Sequence, residues 1–122
     1  MDAETWKKIG LIRERQDNKL DETGIDLQPR DLKTLRITSV GDEMAQTFRA
    51  LAGALAVDEP GAWADVADEL CDTAVACLVA VETMVPDADG AFEKRLYDLL
   101  QLDGPDLDDP DPEDEEAEDG AD

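Results

Sequence analysis

Residues 73–81 read Thr-Ala-Val-Ala-Cys-Leu-Val-Ala-Val, a run that is apolar on nearly every side of a helix. Its spacing predicts a helix over Ala62–Val85, in which Val75 and Val79 lie opposite a first apolar face. That first face consists of Trp63, Val66, Leu70, Ala74, Cys77 and Val81. A helix that is apolar all round must be buried on more than one side. The stretch therefore predicts a helical bundle, completed by other helices of the chain or by another subunit.

Three further helices are predicted by apolar residues at helical spacing, and no alternating strand pattern is present. They cover about residues 3–20, 29–57 and 89–102, with loops or turns at 21–28 and 58–61 and a stop at Pro86. The apolar stripe of the second helix spans about 80° of arc and consists of Val40, Met44, Phe48, Leu51 and Leu55. We therefore predict an all-α fold, a four-helix bundle over residues 1–102 that oligomerisation completes.

The chain has 122 residues and a net charge of -22, and the acidic residues are unevenly distributed. Residues 103–122 hold 12 of the 33 acids and no base, which leaves 21 acids and 11 bases in residues 1–102. The last segment has too little apolar surface to offset its chain entropy, so we predict a disordered acidic tail. Such a tail either solubilises the protein or binds a partner. The acidic charge excludes a basic nucleic-acid groove.

The residue inventory narrows the chemistry further. The chain has no His, which excludes Ser-His and Cys-His catalysis, and only two Cys, which excludes a Cys-only zinc site within one chain. No apolar run reaches about 18 residues, and no apolar run follows the charges of residues 1–8, so neither a membrane span nor a signal peptide is expected. We expect a cytoplasmic protein.

Two helices each carry a pair of oxygen-bearing side chains three residues apart. Glu69 and Asp72 enter the most apolar segment, and Glu43 and Gln46 flank the stripe of the second helix. A lone carboxylate in such a setting costs several kcal/mol unless it is paired or binds a metal. Mg²⁺ or Mn²⁺ suits oxygen ligands of this kind. The alternative is that these are ordinary solvated acids, which are common in so acidic a chain.

The same residues resemble a known family, the MazG-like all-α nucleotide pyrophosphohydrolases. Residues 35–46, continuing to Gly53, resemble the first family motif, Glu-Glu-x-x-Glu behind a Leu-Arg turn. Residues 63–72 resemble the second motif, Glu-x-x-Asp. The similarity extends from about Trp6 to Leu100. It implies a dimeric or tetrameric helical bundle that hydrolyses nucleoside triphosphates to a monophosphate and pyrophosphate with Mg²⁺.

The resemblance also implies roles for individual residues. Glu43, Glu69 and Asp72 would be metal ligands, and Asp42 stands where the family has its first Glu. Gln46 stands at the third Glu of the first motif, where it can offer an oxygen but no charge. With no His, the general base would be a carboxylate, Asp42 or Glu43, or a hydroxide ion on the metal.

Several other residues have both a structural and a functional interpretation. Lys94 and Arg95 are candidates to contact phosphates, although plain surface charges have the same pattern. Trp63 could stack on a base, but its place in the apolar stripe favours the core, as it does for Trp6. Cys71 and Cys77 are expected as small core residues. Mid-helix Gly41 either permits close packing near Glu43 or marks a break.

Three functions are compatible with these features. The first is a Mg²⁺-dependent nucleotide pyrophosphohydrolase, weakened by Gln46. The second is an inactive relative that binds nucleotides or a protein. The third is an acidic interaction protein that acts through residues 103–122.

Overall fold

A computed structural model describes residues 1–102 and shows only helices over that range. The helices are α1 (Ala3–Glu22), α2 (Pro29–Val57), α3 (Pro60–Met84) and α4 (Ala88–Leu102). The all-α prediction is confirmed, and each predicted helix agrees with an observed one to within two residues at either end. The predicted disordered tail, residues 103–122, lies outside the described residues.

The described residues divide into two units, Met1–Ala88 and residues 89–102. In the first unit, α2 and α3 form the most extensive helix pair, and α1 packs on α3. The first residue of α4, Ala88, belongs to the first unit, and the remainder of α4 belongs to the second unit. The candidate metal ligands all belong to the first unit.

The sequence at the helix ends explains where the helices start and stop. Pro29 and Pro60 occupy the first turns of α2 and α3, where the missing backbone N–H costs no helical hydrogen bond. Asp58 ends α2 in the left-handed conformation, with φ 49°. Asp2 caps α1, and hydrogen bonds from Thr5 lower its pKa. A connection this short between α2 and α3 makes them an antiparallel hairpin.

The core of the first unit is built from the residues that α1 and α3 bury. Trp6 and Ile9 of α1 are buried, which confirms the predicted core role of Trp6. On α3 the buried apolar residues are Val66, Val79 and Ala80, of which Val79 is only 1% exposed. The second apolar side of α3, predicted from Val79, is therefore used within the single chain.

The line along which α2 meets α3, here called the α2–α3 seam, is made of small and polar side chains. Thr47 of α2 and Thr73 of α3 are both buried, and their hydroxyl oxygens lie 3.1 Å apart. Ala54, two turns after Thr47 on α2, is fully buried. Small residues allow the helix backbones to approach closely, so the seam displaces the larger apolar residues to the flanks.

Several residues of the predicted apolar faces are therefore exposed in the single chain, so the helices of residues 1–102 do not cover them. Phe48 is 58% exposed and Leu55 65%, because each follows a buried residue of α2 and lies about 100° further round the helix. Trp63 and Leu70 are also exposed, at 39% and 48%, and the Trp63 indole N–H donates to Asp58 at 2.8 Å. Together these four residues form an exposed apolar stripe.

The expectation that both cysteines are core residues is wrong. Cys71 and Cys77 are free thiols, and both are exposed in the single chain. Cys77 lies about 60° from the buried side chain of Ala80, on the side of α3 that carries Leu70. Cys77 is therefore exposed beside the apolar stripe, whereas Cys71 lies about 100° round the helix from Leu70.

Gly41 neither breaks α2 nor allows close packing, so both interpretations of it are wrong. The helix continues through this position, and a Cβ placed on Gly41 would meet no atom of residues 1–102 within 4 Å. Gly in a helix interior is less favourable than Ala by about 1 kcal/mol. The residue simply weakens an exposed part of α2.

We expect Gly41→Ala to raise the free energy of unfolding by about 1 kcal/mol, measured by urea denaturation. Gly24→Ala is the matched control, because Gly24 has φ +74°, a conformation that Ala adopts only at a cost. The control should be destabilised, although no atom of the described residues lies within 4 Å of its Cβ position either. A destabilised Gly41→Ala would show that this part of α2 is packed against something else.

Candidate metal centre

Three carboxylates from α2 and α3 converge in the first unit. Glu43, Glu69 and Asp72 each place one oxygen so that the three atoms lie within 4.8 Å of one another. Glu43 and Glu69 are half-buried and Asp72 is exposed. These are the three acids that the sequence singled out as ligands, and we call them the carboxylate cluster.

The register of the α2–α3 seam places these acids opposite each other. Thr47 lies one turn after Glu43 and can donate its hydroxyl to the Glu43 carbonyl at 3.2 Å. Thr73 lies one turn after Glu69 and can donate to the Glu69 carbonyl at 3.0 Å. The two threonine hydroxyls also contact each other, and their two hydrogens are shared among these three contacts. This threonine pair lies one helical turn from the carboxylate cluster.

The carboxylate cluster fits a small divalent cation. Oxygen ligands about 2.1 Å from Mg²⁺ lie about 3.0 Å apart when adjacent and about 4.2 Å apart when opposite, so the three side chains would move closer together around the ion. Glu69 Oε1 is buried and accepts no hydrogen bond from any group in residues 1–102. A buried charged oxygen without a partner is costly, and a cation would remove that cost. These side chains can therefore hold Mg²⁺ or Mn²⁺.

A larger cleft of about 600 Å³ opens on the Glu69 side of the cluster. Gln46 and Arg49 of α2 line it together with Asp65, Asp68 and Glu69 of α3. Between them lie small residues that leave room for a ligand, namely Ala50, Gly53, Ala54 and Ala62. Gln46, the predicted fourth ligand, thus shares a cleft with Glu69.

A smaller cleft of about 310 Å³ lies on the other side of the cluster. Glu43 and Asp72 line it, and Gln16 of α1 is its other polar residue. Its apolar wall consists of Ile12, Val75 and Ala76. The members of the cluster are divided between the two clefts, so the cluster lies between them.

The remaining predicted site residues lie outside the cluster. Asp42 is exposed on α2 and is not among the acids that converge. Lys94 and Arg95 are exposed on α4, in the second unit, and Lys94 forms an ion pair with Asp98 at 3.0 Å. Their role as phosphate ligands stays a prediction.

Sequence reasoning missed Arg49, which lines the larger cleft beside Gln46. Its side chain forms no ion pair within residues 1–102. A signal for it was present, because Arg49 is the only Lys or Arg between Arg36 and Lys94, the region that carries both pairs of ligands. A lone cation in an acidic site is a natural contact for phosphate.

Comparisons with known proteins returned no match from any family model, curated protein or solved structure. Within residues 1–102, no helix combines the length and the apolar character needed to span a membrane.

Proposed function

We propose that this protein is a Mg²⁺-dependent nucleoside triphosphate pyrophosphohydrolase. The observation that carries the proposal is the convergence of Glu43, Glu69 and Asp72 between two clefts, with a buried Glu69 oxygen that lacks a partner within residues 1–102. The reaction type comes from the resemblance to the MazG-like enzymes, which concerns these same acids.

In this proposal the chain's own residues have distinct roles. Glu43, Glu69 and Asp72 hold the cation, and Gln46 offers a further oxygen from the larger cleft. A bound Mg²⁺ would neutralise phosphate charge and make water a better nucleophile. Water attacks the α-phosphorus, the bond to the bridging oxygen breaks, and pyrophosphate leaves. Glu43 is the better placed general base, because Asp42 lies outside the cluster.

Arg49 supports the proposal from the larger cleft. No other Lys or Arg lines either cleft, and the neighbouring Asp65, Asp68 and Glu69 are acidic. A triphosphate could approach this acidic cleft only with its charge shared between the cation and a group such as Arg49. We therefore place the departing pyrophosphate in the larger cleft.

The direct test is incubation with a panel of canonical and modified NTPs and dNTPs, with Mg²⁺ or Mn²⁺, followed by ³¹P NMR. We expect a nucleoside monophosphate and pyrophosphate in equal amounts. Release of inorganic phosphate instead would indicate a different bond, and no product with any nucleotide would refute the enzyme proposal.

A second candidate is an inactive member that binds nucleotides or a protein. The observation that favours it is Gln46, a neutral side chain that lines the larger cleft beside Glu69. Gln46→Glu separates the two candidates, because it restores the missing charge. An inactive wild type whose Gln46→Glu variant gains turnover would identify a decayed enzyme.

The third candidate acts through residues 103–122, outside the described part of the chain. Truncation after Leu102 tests it. Unchanged partner binding by the truncated protein would exclude this function.

We further propose that a second copy of the chain covers the exposed apolar stripe, giving a homodimer or homotetramer. The stripe holds Phe48, Leu55, Trp63 and Leu70, all more than a third exposed and all on the two helices that carry the cluster. Large exposed apolar patches are typical of interfaces, and the resemblance to the MazG-like family also implies an oligomer.

We expect the double variant Phe48→Ser, Leu70→Ser to behave as a 13.3 kDa monomer in light scattering, whereas the wild type has at least twice that mass. Leu11→Ser is the control, because Leu11 is 51% exposed but lies on α1, outside the stripe. A monomeric wild type would contradict the proposal, and so would an oligomer that both sets of substitutions leave intact.

A further inference from the structure

Gln16 is held in place by a buried arginine. Arg36 of α2 is only 4% exposed, and its Nη1 donates to Gln16 Oε1 at 2.8 Å. Its other donors contact Asp17 and Thr83, so the guanidinium links α1, α2 and α3. A buried charge with three partners is fixed in position. Gln16 is itself an exposed residue of α1, and this hydrogen bond orients its amide.

The chemistry of arginine decides which way the amide faces. A guanidinium has only hydrogen-bond donors, so the Gln16 carbonyl oxygen must be the atom that meets Arg36. The amide nitrogen therefore keeps both of its hydrogens, and it makes no hydrogen bond within residues 1–102. Gln16 lines the smaller cleft, which leaves it as an oriented donor there.

The smaller cleft has the size and surface of a site for a flat heterocycle. Its volume, about 310 Å³, is at the lower end of the range for small-molecule sites. Ile12 and Val75 provide apolar surface for a ring face, and Gln16 provides a polar group for a ring edge. Glu43 and Asp72 connect this cleft to the carboxylate cluster.

The two clefts differ in the part of a nucleotide that they suit. Among the residues that line them, the single cation, Arg49, is in the larger cleft, and the apolar wall is in the smaller one. If the phosphates bind in the larger cleft, the scissile bond lies at the carboxylate cluster. The base then occupies the smaller cleft.

We propose that Gln16, oriented by Arg36, is a specificity-determining residue that donates to a carbonyl oxygen of the nucleobase. This rests on the proposed function, which supplies the nucleotide. Uracil and thymine present two carbonyl groups and no exocyclic amine, whereas adenine offers only ring nitrogens as acceptors and carries an amine donor at its edge. We therefore expect the site to favour uracil- or thymine-containing nucleotides over adenine nucleotides.

The test compares kcat/KM for UTP and ATP in three proteins. The wild type is expected to favour UTP, and Gln16→Glu, which replaces the donor with a carboxylate acceptor, should lower the UTP/ATP ratio by about tenfold or more. Asn18→Asp is the control, because it makes the same change of charge on Asn18 of α1, which is exposed like Gln16 but lines neither cleft. A ratio that Gln16→Glu leaves unchanged, or that both variants lower equally, would overturn the proposal.

A binding measurement keeps the inference separate from the activity. The side-chain NH₂ signal of Gln16, assigned by its loss in Gln16→Ala, is followed by ¹⁵N NMR during titration with α,β-methylene UTP or ATP and Mg²⁺. A shift that is larger with the uracil nucleotide supports the inference even if the wild type hydrolyses nothing. A Gln16 signal that moves with neither nucleotide overturns the inference. If the wild type is active, the same result leaves the proposed function intact.

Discussion

Glu69→Gln is expected to lower Mg²⁺-dependent pyrophosphate release by at least about 100-fold. The substitution keeps the size of the side chain and removes its charge, at an acid whose buried Oε1 has no hydrogen-bond partner in residues 1–102. Changes to groups that merely support a metal ligand already cost about 10–100-fold in affinity or activity. A change to the ligand itself should reach at least the upper end of that range.

The same substitution should not destabilise the protein, because it removes the charge from a half-buried carboxylate whose buried oxygen has no partner in residues 1–102. We therefore expect Glu69→Gln to be as stable as the wild type, or more stable, in urea without metal. Asp68→Asn is the matched control, since Asp68 lines the same cleft as Glu69 but is outside the carboxylate cluster. Equal losses of activity in both variants would show that activity depends on the total negative charge of the larger cleft and not on Glu69 as a metal ligand.

Arg36→Met is expected to lower the free energy of unfolding by about 3 kcal/mol. Methionine fills much of the buried volume but leaves Gln16, Asp17 and Thr83 without their shared donor. Removing one partner of a buried ion pair costs about 3–5 kcal/mol, and Asp17 reduces this by keeping its bond to Arg13 at 2.9 Å. Urea denaturation would measure the change.

Arg30→Met is the control for this experiment. Arg30 is exposed on α2, and its side chain makes no ion pair within residues 1–102, so a change within about 0.5 kcal/mol is expected. If Arg36→Met were as stable as the wild type, the network around Arg36 would not hold α1 against α2 and α3.

The helices and the carboxylate cluster could be predicted from sequence because each depends on local spacing. Pro29 and Pro60 begin α2 and α3, and α3 ends shortly before Pro86. The sequence has no alternating pattern that would predict strands. Glu69 and Asp72, three apart, must lie on one side of any helix that contains them. That they meet Glu43 depended on the pairing of α2 with α3, which the short connection between these helices favours.

The face that each helix buries could not be predicted from apolar spacing alone. Thr47 and Thr73 form the seam, although threonine is a weaker core signal than Phe48 or Leu70. An apolar stripe shows that a face is covered, but it does not show whether the chain itself or another molecule covers it. The same difficulty hid Arg36, because a buried arginine is recognised only from its partners on other helices.

The most direct test of the central claim is a Mn²⁺ titration of the full-length protein, followed by EPR, with Glu69→Gln and Asp68→Asn in parallel. The acidic residues 103–122 are present in all three proteins, so any weak binding there cancels in the comparison. We predict that the wild type and Asp68→Asn bind one Mn²⁺ per chain that Glu69→Gln does not. Identical titration curves for the three proteins would contradict a metal centre at Glu43, Glu69 and Asp72.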